Sequence, residues 1–143
     1  MSKVAVVYWS GTGNTEQMAE SVADGARNAG ADVTTFTAAE FDADKMDEFD
    51  AIAFGCPSMG AEQLEEDEFE PMFTACESKL SGKKIALFGS YGWGDGEWMR
   101  NWVDQMKNAG ADVIGGEDAI CADAPDDETE AKLVELGKQL AAC

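Results

Sequence analysis

An apolar strand that runs directly into a glycine-rich turn and then into a helix constrains this chain more than any other feature. Residues 4–8 read Val-Ala-Val-Val-Tyr, which predicts a strand buried on both faces. The turn Ser10-Gly11-Thr12-Gly13-Asn14-Thr15 follows, and helical periodicity begins after it. Backbone N–H groups at a helix start lack helical acceptors, and the helix dipole adds positive potential. The stretch therefore predicts a phosphate site; the alternative is an ordinary strand-to-helix turn with Asn14 or Thr15 as its N-cap.

The composition of this turn limits the kind of phosphate group that it could bind. A nucleoside triphosphatase loop needs a lysine, and no lysine or arginine lies between Lys3 and Arg27. The dinucleotide pattern G-x-G-x-x-G is only half present, because Glu16 stands where the third glycine belongs. The hydroxyls of the turn are neutral donors. An anion site without a cation suits a small monophosphate group better than a triphosphate.

Length and residue usage exclude several classes of protein. The 143 residues are expected to form one domain, residues 1–143, with a sizeable core. There is no histidine, which argues against hydrolytic catalysis and against a metal site. The four cysteines show no C-x-x-C spacing, so buried or terminal thiols are expected. No apolar stretch approaches a membrane span and Met1-Ser2-Lys3 leads straight into a strand, so the cytoplasm is the expected location.

The chain is strongly acidic, with a formal net charge of −19. Ten acidic residues and no basic residue lie between Met46 and Ser78. Such a surface repels nucleic acid and anionic membranes, and it attracts basic patches on other proteins. The acidic stretch is either a docking surface for a basic partner or a solvated face that aids solubility.

Strand patterns alternate with helix patterns along the whole chain. The predicted strands are 4–8, Asp32–Thr37, Phe49–Gly55, Lys84–Gly89 and a fifth that begins at Val113-Ile114 and resumes at Ala119–Cys121. Helices are predicted from about Thr15 to Asn28, along Phe69, Phe73 and Cys76, along Trp98, Trp102 and Met106, and along Leu133, Leu136 and Leu140 after a cap at Asp126 or Asp127. Residues 38–48 predict only a short helix or turn. This alternation predicts an α/β fold, a doubly wound parallel sheet with helices on both faces in three layers.

One six-residue phrase, Asn-Ala-Gly-Ala-Asp-Val, occurs twice, at Asn28–Val33 and at Asn108–Val113. In both places it follows a helical stripe and precedes a strand pattern. It predicts the same helix end and strand start, with glycine just past the helix, at two points of the fold.

Three polar loops follow predicted strands at their carboxyl ends. They are Ser10–Thr15, Cys56–Glu62 and Ser90–Gly96. Ligands of such sheets bind beyond the carboxyl ends of the strands, so the loops are expected to converge on one ligand. The second loop offers the polarisable Met59 and the third offers Trp93 between two glycines. A phosphate site with two stacking surfaces indicates a flat aromatic mononucleotide; the alternative is that Trp93 packs on the protein itself.

Four stretches, in the same order along the chain, resemble the flavodoxins of the short-chain clostridial type. They are Tyr8–Thr15, Gly55–Gly60, Phe69–Pro71 and Gly89–Gly94, and the resemblance covers essentially the whole chain. It implies FMN as the cofactor, a flavodoxin-like five-stranded sheet of order 2-1-3-4-5, and one-electron transfer.

The resemblance also implies a role for each loop residue. The FMN phosphate would be bound by the first loop, namely by Ser10, Gly11, Thr12, Gly13, Asn14 and Thr15, and Ser58 belongs to the same cofactor site. Met59 and Trp93 would stack on the two isoalloxazine faces, and Glu62 would accept the flavin N3–H. The backbone of Ser90, Tyr91, Gly92, Trp93 and Gly94 would meet the pyrimidine edge. The Gly60–Ala61 peptide would flip so that its carbonyl accepts the N5–H of the neutral semiquinone, a motion that the Ala61 methyl group disfavours.

By the same resemblance the chain is a low-potential one-electron carrier, not an enzyme, whose FMN is bound non-covalently and shuttles between semiquinone and hydroquinone. Its expected partners are redox proteins with basic patches, such as reductases and low-potential oxidoreductases, with no nucleic acid or membrane, and it is expected to be a monomer. Two alternatives remain. The first is an FMN-dependent NAD(P)H:quinone-type reductase of the same fold, whose substrate would need the flavin face that Trp93 would cover. The second is a phospho-receiver module, which needs acidic residues at the positions of Tyr8 and Trp9.

Overall fold

A computed structural model describes residues 3–9, 13–57, 68–91, 97–114, 119–122 and 125–142. The elements alternate as the sequence predicts. They are β1 (Lys3–Tyr8), α1 (Asn14–Asn28), β2 (Asp32–Thr37), α2 (Ala43–Met46), β3 (Ala51–Gly55), α3 (Phe69–Cys76), β4 (Lys84–Tyr91), α4 (Glu97–Asn108), β5 (Asp112–Ile114), β6 (Ile120–Ala122) and α5 (Asp127–Ala141). Single turns of 3₁₀ helix at Ala38–Glu40 and Glu77–Lys79 complete the described elements.

All strand pairs in the described sheet are parallel, and the order is β2-β1-β3-β4-β5. The fifth position is shared, because β5 pairs with the first half of β4 and β6 pairs with its second half. The predicted order 2-1-3-4-5 and the predicted interruption of the fifth strand are thus confirmed. The chain leaves β1 toward β2 and then crosses to β3 on the other side, which places a topological switch point at the carboxyl end of β1.

The apolar core lies on both faces of the sheet, as the unbroken apolar run in β1 predicts. Val6 faces α1 and α5, whereas its neighbour Val7 faces the layer that contains α3 and α4, and both are fully buried. The α1/α5 layer contributes Met18, Val22, Leu133, Leu136 and Leu140, and the opposite layer contributes Phe69, Phe73, Cys76, Trp98, Trp102 and Met106. These are the predicted helix stripes, and they complete the three-layer sandwich.

The repeated phrase Asn-Ala-Gly-Ala-Asp-Val forms the same structure at both of its occurrences. Gly30 has φ +95° after α1, and Gly110 has φ +89° after α4. In each case the residue after the glycine donates its N–H to the helix, Ala31 to Ala26 O at 3.0 Å and Ala111 to Met106 O at 3.1 Å. Glycine is needed at these two positions because positive φ strains residues that carry a Cβ.

The strand β4 is longer than predicted, and this corrects the boundary of the third loop. Ser90 and Tyr91, predicted to lie in the loop, end the strand. They pair with Cys121 and Ala122 of β6, and the Gly89 N–H donates to Ala119 O at 3.2 Å. The local sequence could not reveal this extension, because the partner strand lies about thirty residues further along the chain. Other predicted boundaries differ from the structure by one or two residues.

Two glycines bring α1 and α5 into backbone contact. A Cβ on Gly137 would overlap the carbonyl oxygen of Val22, and a Cβ on Gly25 would overlap that of Val134. Each glycine therefore lies against the backbone of the other helix. The reciprocal contact fixes the distance between the two helices, and with it the position of α1 on the sheet.

We expect Gly137→Ala to lower the free energy of unfolding by about 1–3 kcal/mol, because overpacking at a helix contact forces backbone shifts. In a helix without this contact, the same change would stabilise the protein by roughly 0.5–1 kcal/mol. Urea unfolding of the variant measures the sign directly. Glu135→Ala, at an exposed position of the same helix, is the control and should change stability by at most about 0.5 kcal/mol. Unchanged or raised stability in Gly137→Ala would contradict the close contact.

Candidate functional site

The three predicted loops begin at one edge of the sheet. Tyr8 is in register with Gly55, and Gly55 is in register with Phe88 of β4. Just past β1, the Trp9 N–H still donates to Gly55 O at 3.0 Å. The carboxyl ends of β1, β3 and β4 therefore lie side by side, which is where sheets of this topology bind ligands.

The structure describes only part of the predicted site. Gly13, Asn14, Thr15, Ser90 and Tyr91 lie within the described residues. Eleven predicted residues lie outside them: Ser10, Gly11, Thr12, Ser58, Met59, Gly60, Ala61, Glu62, Gly92, Trp93 and Gly94. Their assigned contacts stay predictions.

Among the residues that the structure describes, no side chain caps the first turn of α1. Its N-cap is Gly13, with φ +94°, and the Gln17 N–H donates to Gly13 O at 3.0 Å. The alternative in which Asn14 or Thr15 caps the helix is therefore wrong. A long helix that starts at a glycine in the left-handed region directs its first N–H groups and its positive dipole end outward, which suits an anion.

Thr15 brings the first loop into contact with the third. Its hydroxyl Oγ1 lies 3.3 Å from the Oγ of Ser90, within hydrogen-bond distance. Both residues are nearly buried, with 1% and 5% of their surfaces exposed. The start of α1 and the carboxyl end of β4 are thus joined by two neutral hydroxyl groups.

The ends of β3 and β4 approach closely because residue 89 is glycine. A Cβ there would overlap the carbonyl oxygen of Cys56 and would lie 3.3 Å from the indole of Trp98. Trp98 also contacts Tyr91, with ring centroids 5.5 Å apart. The carboxyl ends of β3 and β4 are therefore close neighbours, and the buried Trp98 indole packs against them.

A side-chain contact also joins the flanks of the first and second loops. The Trp9 Nε1–H donates to Glu68 Oε1 at 3.4 Å. Trp9 directly precedes the first loop, and Glu68 is the N-cap residue of α3, within the acidic stretch. The hydrogen bond therefore joins the end of β1 to the start of α3.

A family model described as Flavodoxin matches residues 6–136 of the chain. The chain belongs to the flavodoxin family. It is 46% identical over 136 residues to a flavodoxin of Clostridium beijerinckii and 48% identical over 138 residues to one of Megasphaera elsdenii. These alignments cover 95% and 96% of this chain and 97% and 98% of the relatives.

The structure agrees with this membership. The solution structure of two-electron reduced Megasphaera elsdenii flavodoxin superposes with a TM-score of 0.86 and 43% sequence identity, over 98% of this chain and 99% of that one. A flavodoxin from the domain Archaea gives a TM-score of 0.84 at 26% identity. The fold and the sequence motifs therefore lead to the same family.

As a flavodoxin, the protein binds FMN and carries electrons rather than catalysing a reaction as an enzyme. The reductase alternative is not favoured. The described residues fit the cofactor: a helix start with a glycine N-cap and two buried hydroxyls lie at the edge where the sequence predicts a phosphate site. Among the described residues no cluster of histidine, cysteine or acidic side chains could hold a metal ion, and no helix is long and apolar enough to cross a bilayer.

The electrostatics at this edge of the flavodoxin are negative. Burial raises the pKa of Tyr8, and the carboxylates of Glu16, Glu20 and Glu40 raise it further. By contrast, the ion pair between Lys84 Nζ and Asp112 Oδ2, 2.6 Å apart, lies at the amino ends of β4 and β5. These are the ends of the two strands that are farthest from the site. Neutral donors and a helix dipole, rather than cationic side chains, are what the described part of the site offers to an anion.

Sequence reasoning missed three residues of this neighbourhood. Trp9 had no predicted role, Glu68 was predicted only as part of the acidic stretch, and Trp98 was predicted only as a core residue. The Trp98 indole N–H has no hydrogen-bond partner among the described residues, although the residue is only 2% exposed. The position of Trp9 directly before the predicted phosphate-binding turn was a signal that could have identified it.

We expect Gly13→Ala to lower the free energy of unfolding by about 1–2 kcal/mol, because φ +94° is strained for alanine. No described atom lies within 4 Å of the added Cβ, so the cost is conformational rather than steric. FMN affinity should fall as well, since the strained turn lies at the helix start that is predicted to bind the phosphate. Gly82→Ala, with φ +76° and equal space, is the control. It should cost similar stability and leave FMN affinity unchanged; equal affinity losses in both variants would argue against a local role for Gly13.

Proposed function

We propose that the three loops hold FMN with its phosphate at the start of α1 and its ring between the second and third loops. The hydroxyls of Ser10, Thr12 and Thr15 and the amides of residues 11–14 bind the phosphate, with Ser58 nearby. Met59 and Trp93 cover the two faces of the ring, and Glu62 accepts the flavin N3–H. The backbone of residues 90–94 meets the pyrimidine edge, and the Gly60–Ala61 peptide lies near N5.

The observation that carries this proposal is the buried contact between Thr15 and Ser90. It joins the phosphate-binding turn to the strand that leads into Trp93, so one ligand can reach both. The adjacent ends of β3 and β4 add the second loop to the same edge. A phosphate and a planar ring linked by a flexible chain match this spacing of functional groups.

FMN supplies the electron chemistry when it is bound. The protein's own contribution is to bind the phosphate without a cation, to cover the ring and to surround it with negative charge. One carboxylate about 10 Å from the ring disfavours added negative charge by roughly 0.4 kcal/mol at the dielectric constant of water. Several such carboxylates lower the reduction potential together, since their effects on one group have the same sign.

We further propose that the acidic stretch from Met46 to Ser78 docks basic patches on partner redox proteins. Its support is the net charge of −19 and the position of Glu68 at the border of the cofactor edge, bonded to Trp9. Complementary charge raises the rate of encounter and orients the partner toward the flavin.

The same charge supports a monomeric state, since two copies repel each other. We propose that residues 1–143 form one FMN-binding domain, because a single sheet spans β2 to β6 and α5 packs on α1. We also propose a cytoplasmic location, which the buried thiol of Cys76 supports.

We expect Trp93→Ala to weaken FMN binding and to raise the midpoint potential of the lower one-electron couple, because a stacked indole favours the electron-poor oxidised ring. Trp93→Phe keeps an aromatic plane and should lie between wild type and Trp93→Ala. An anaerobic redox titration measures the potential, and dilution of the loaded protein measures affinity. Wild-type potential and affinity in Trp93→Ala would remove Trp93 from the site.

We expect the triple change Glu65→Gln, Glu66→Gln and Asp67→Asn to slow electron transfer to cytochrome c, a basic acceptor, by about tenfold at low salt. The difference should vanish at high salt, where surface charges are screened. Stopped-flow mixing over a series of ionic strengths measures both. Asp32→Asn, Asp104→Asn and Glu135→Gln together remove the same charge at exposed positions outside the acidic stretch. Equal slowing by the two sets would mean that only net charge matters.

A further inference from the structure

The Ser90 side chain points to a different face of the sheet from the side chain of Tyr91, which indicates a different role. Along β4, Phe88 faces α1 and α5, and Leu87 faces the opposite layer. Because side chains alternate along a strand, Ser90 lies on the α1 face and Tyr91 lies on the α4 face. The contacts agree: Ser90 meets Thr15 of α1, and Tyr91 meets Trp98 of α4. The Ser90 hydroxyl therefore belongs to the phosphate end of the site, although its backbone precedes the loop assigned to the ring.

The sheet holds Ser90 in this direction. Its backbone pairs with Cys121 of β6, and Gly89 before it donates to Ala119 O at 3.2 Å. Ser90 is thus part of the regular sheet, with 5% of its surface exposed. A short side chain on such a backbone has few alternative positions.

Proton counting decides the direction of the hydrogen bond between the two hydroxyls. Each hydroxyl carries one proton and can accept through its lone pairs. A phosphate dianion only accepts, so Thr15 must donate its one proton to a phosphate that it binds. The Thr15 oxygen can then only accept from Ser90, and Ser90 must be the donor. The 3.3 Å contact becomes a directed chain from Ser90 to Thr15 to phosphate.

We propose that Ser90 is a positioning residue for phosphate recognition: by donating to Thr15 Oγ1, it orients the Thr15 hydroxyl toward the FMN phosphate. This inference rests on the proposed binding of the phosphate at the start of α1. Ser90 thereby contributes to the preference for a phosphorylated flavin over riboflavin, which has the same ring and chain without the phosphate. A hydroxyl that served the ring would support both ligands equally.

The test compares the dissociation constants of FMN and riboflavin for the full-length protein and its variants. Ser90→Ala should weaken FMN binding by about three- to tenfold, the effect of one buried hydrogen bond, and leave riboflavin binding unchanged. Thr15→Val should weaken FMN binding more than tenfold, because it removes a bond to a charged group. In the Thr15→Val background, Ser90→Ala should have no further effect, since its action passes through Thr15. The ³¹P chemical shift of bound FMN should change in Ser90→Ala and return toward wild type in Ser90→Thr.

Thr129→Ala is the matched control, because Thr129 is another buried hydroxyl in the first turn of a helix, α5. It should lower stability without changing the ratio of FMN to riboflavin affinity. Equal losses for both ligands in Ser90→Ala, or additive losses in the double variant, would overturn the role of Ser90 while leaving the phosphate site intact. If wild type did not prefer FMN, or if Thr15→Val bound FMN normally, the proposed phosphate site itself would fail. Circular dichroism of each variant shows whether it is folded.

Discussion

The pairing of β1 with a strand on each side is the constraint on which the rest of the structure depends. β1 is hydrogen-bonded to β2 along one edge and to β3 along the other, and Val4–Val7 are fully buried between two helix layers. A strand held on both edges and both faces cannot shift its register without exposing its whole apolar set. Its carboxyl end is therefore a fixed point. The turn that follows it, and the helix that the turn starts, are placed by the sheet.

The position of α1 follows from its contact with α5. Gly25 and Gly137 let the backbones of α1 and α5 touch, and this contact fixes the distance of α1 from the sheet. The first turn of α1 then lies at the carboxyl edge of the sheet. There Thr15 meets Ser90 from β4, a strand two positions away from β1 in the sheet. The contact between α1 and α5 thus helps to position Thr15 against Ser90 at the carboxyl edge of the sheet. The exposed residues of the helices contribute charge to the protein surface but do not position the residues of the site.

An anion site made from neutral donors suits a protein that carries electrons at low potential. A lysine at the phosphate would favour every added negative charge on the nearby flavin, whereas the hydroxyls and helix dipole that we propose as the phosphate site would have less effect on the ring. The carboxylates around Tyr8 have the opposite influence to a lysine. The described cation–carboxylate pairs at Lys79 and Lys84 lie away from this edge, near the amino end of β4.

The sequence by itself determined the order of the elements, the faces that they bury and the chemistry of the loops. These properties are encoded locally. The apolar run of residues 4–8 predicts a strand, and the spacing of Trp98, Trp102 and Met106 predicts a helix. The repeated Asn-Ala-Gly-Ala-Asp-Val phrase contains the glycine that its turn requires. The order of the motifs along the chain was enough to predict the flavodoxin family and FMN as its cofactor.

Only the tertiary structure decided which residues meet. The extension of β4 to Tyr91 depends on β6, the N-cap at Gly13 depends on the path of the turn, and the contact of Trp9 with Glu68 joins residues far apart in the chain. The direction of the Ser90 hydroxyl depends on the register of β4 against its neighbours and on the depth of α1. Such contacts are set by packing between distant segments, and no local pattern encodes them.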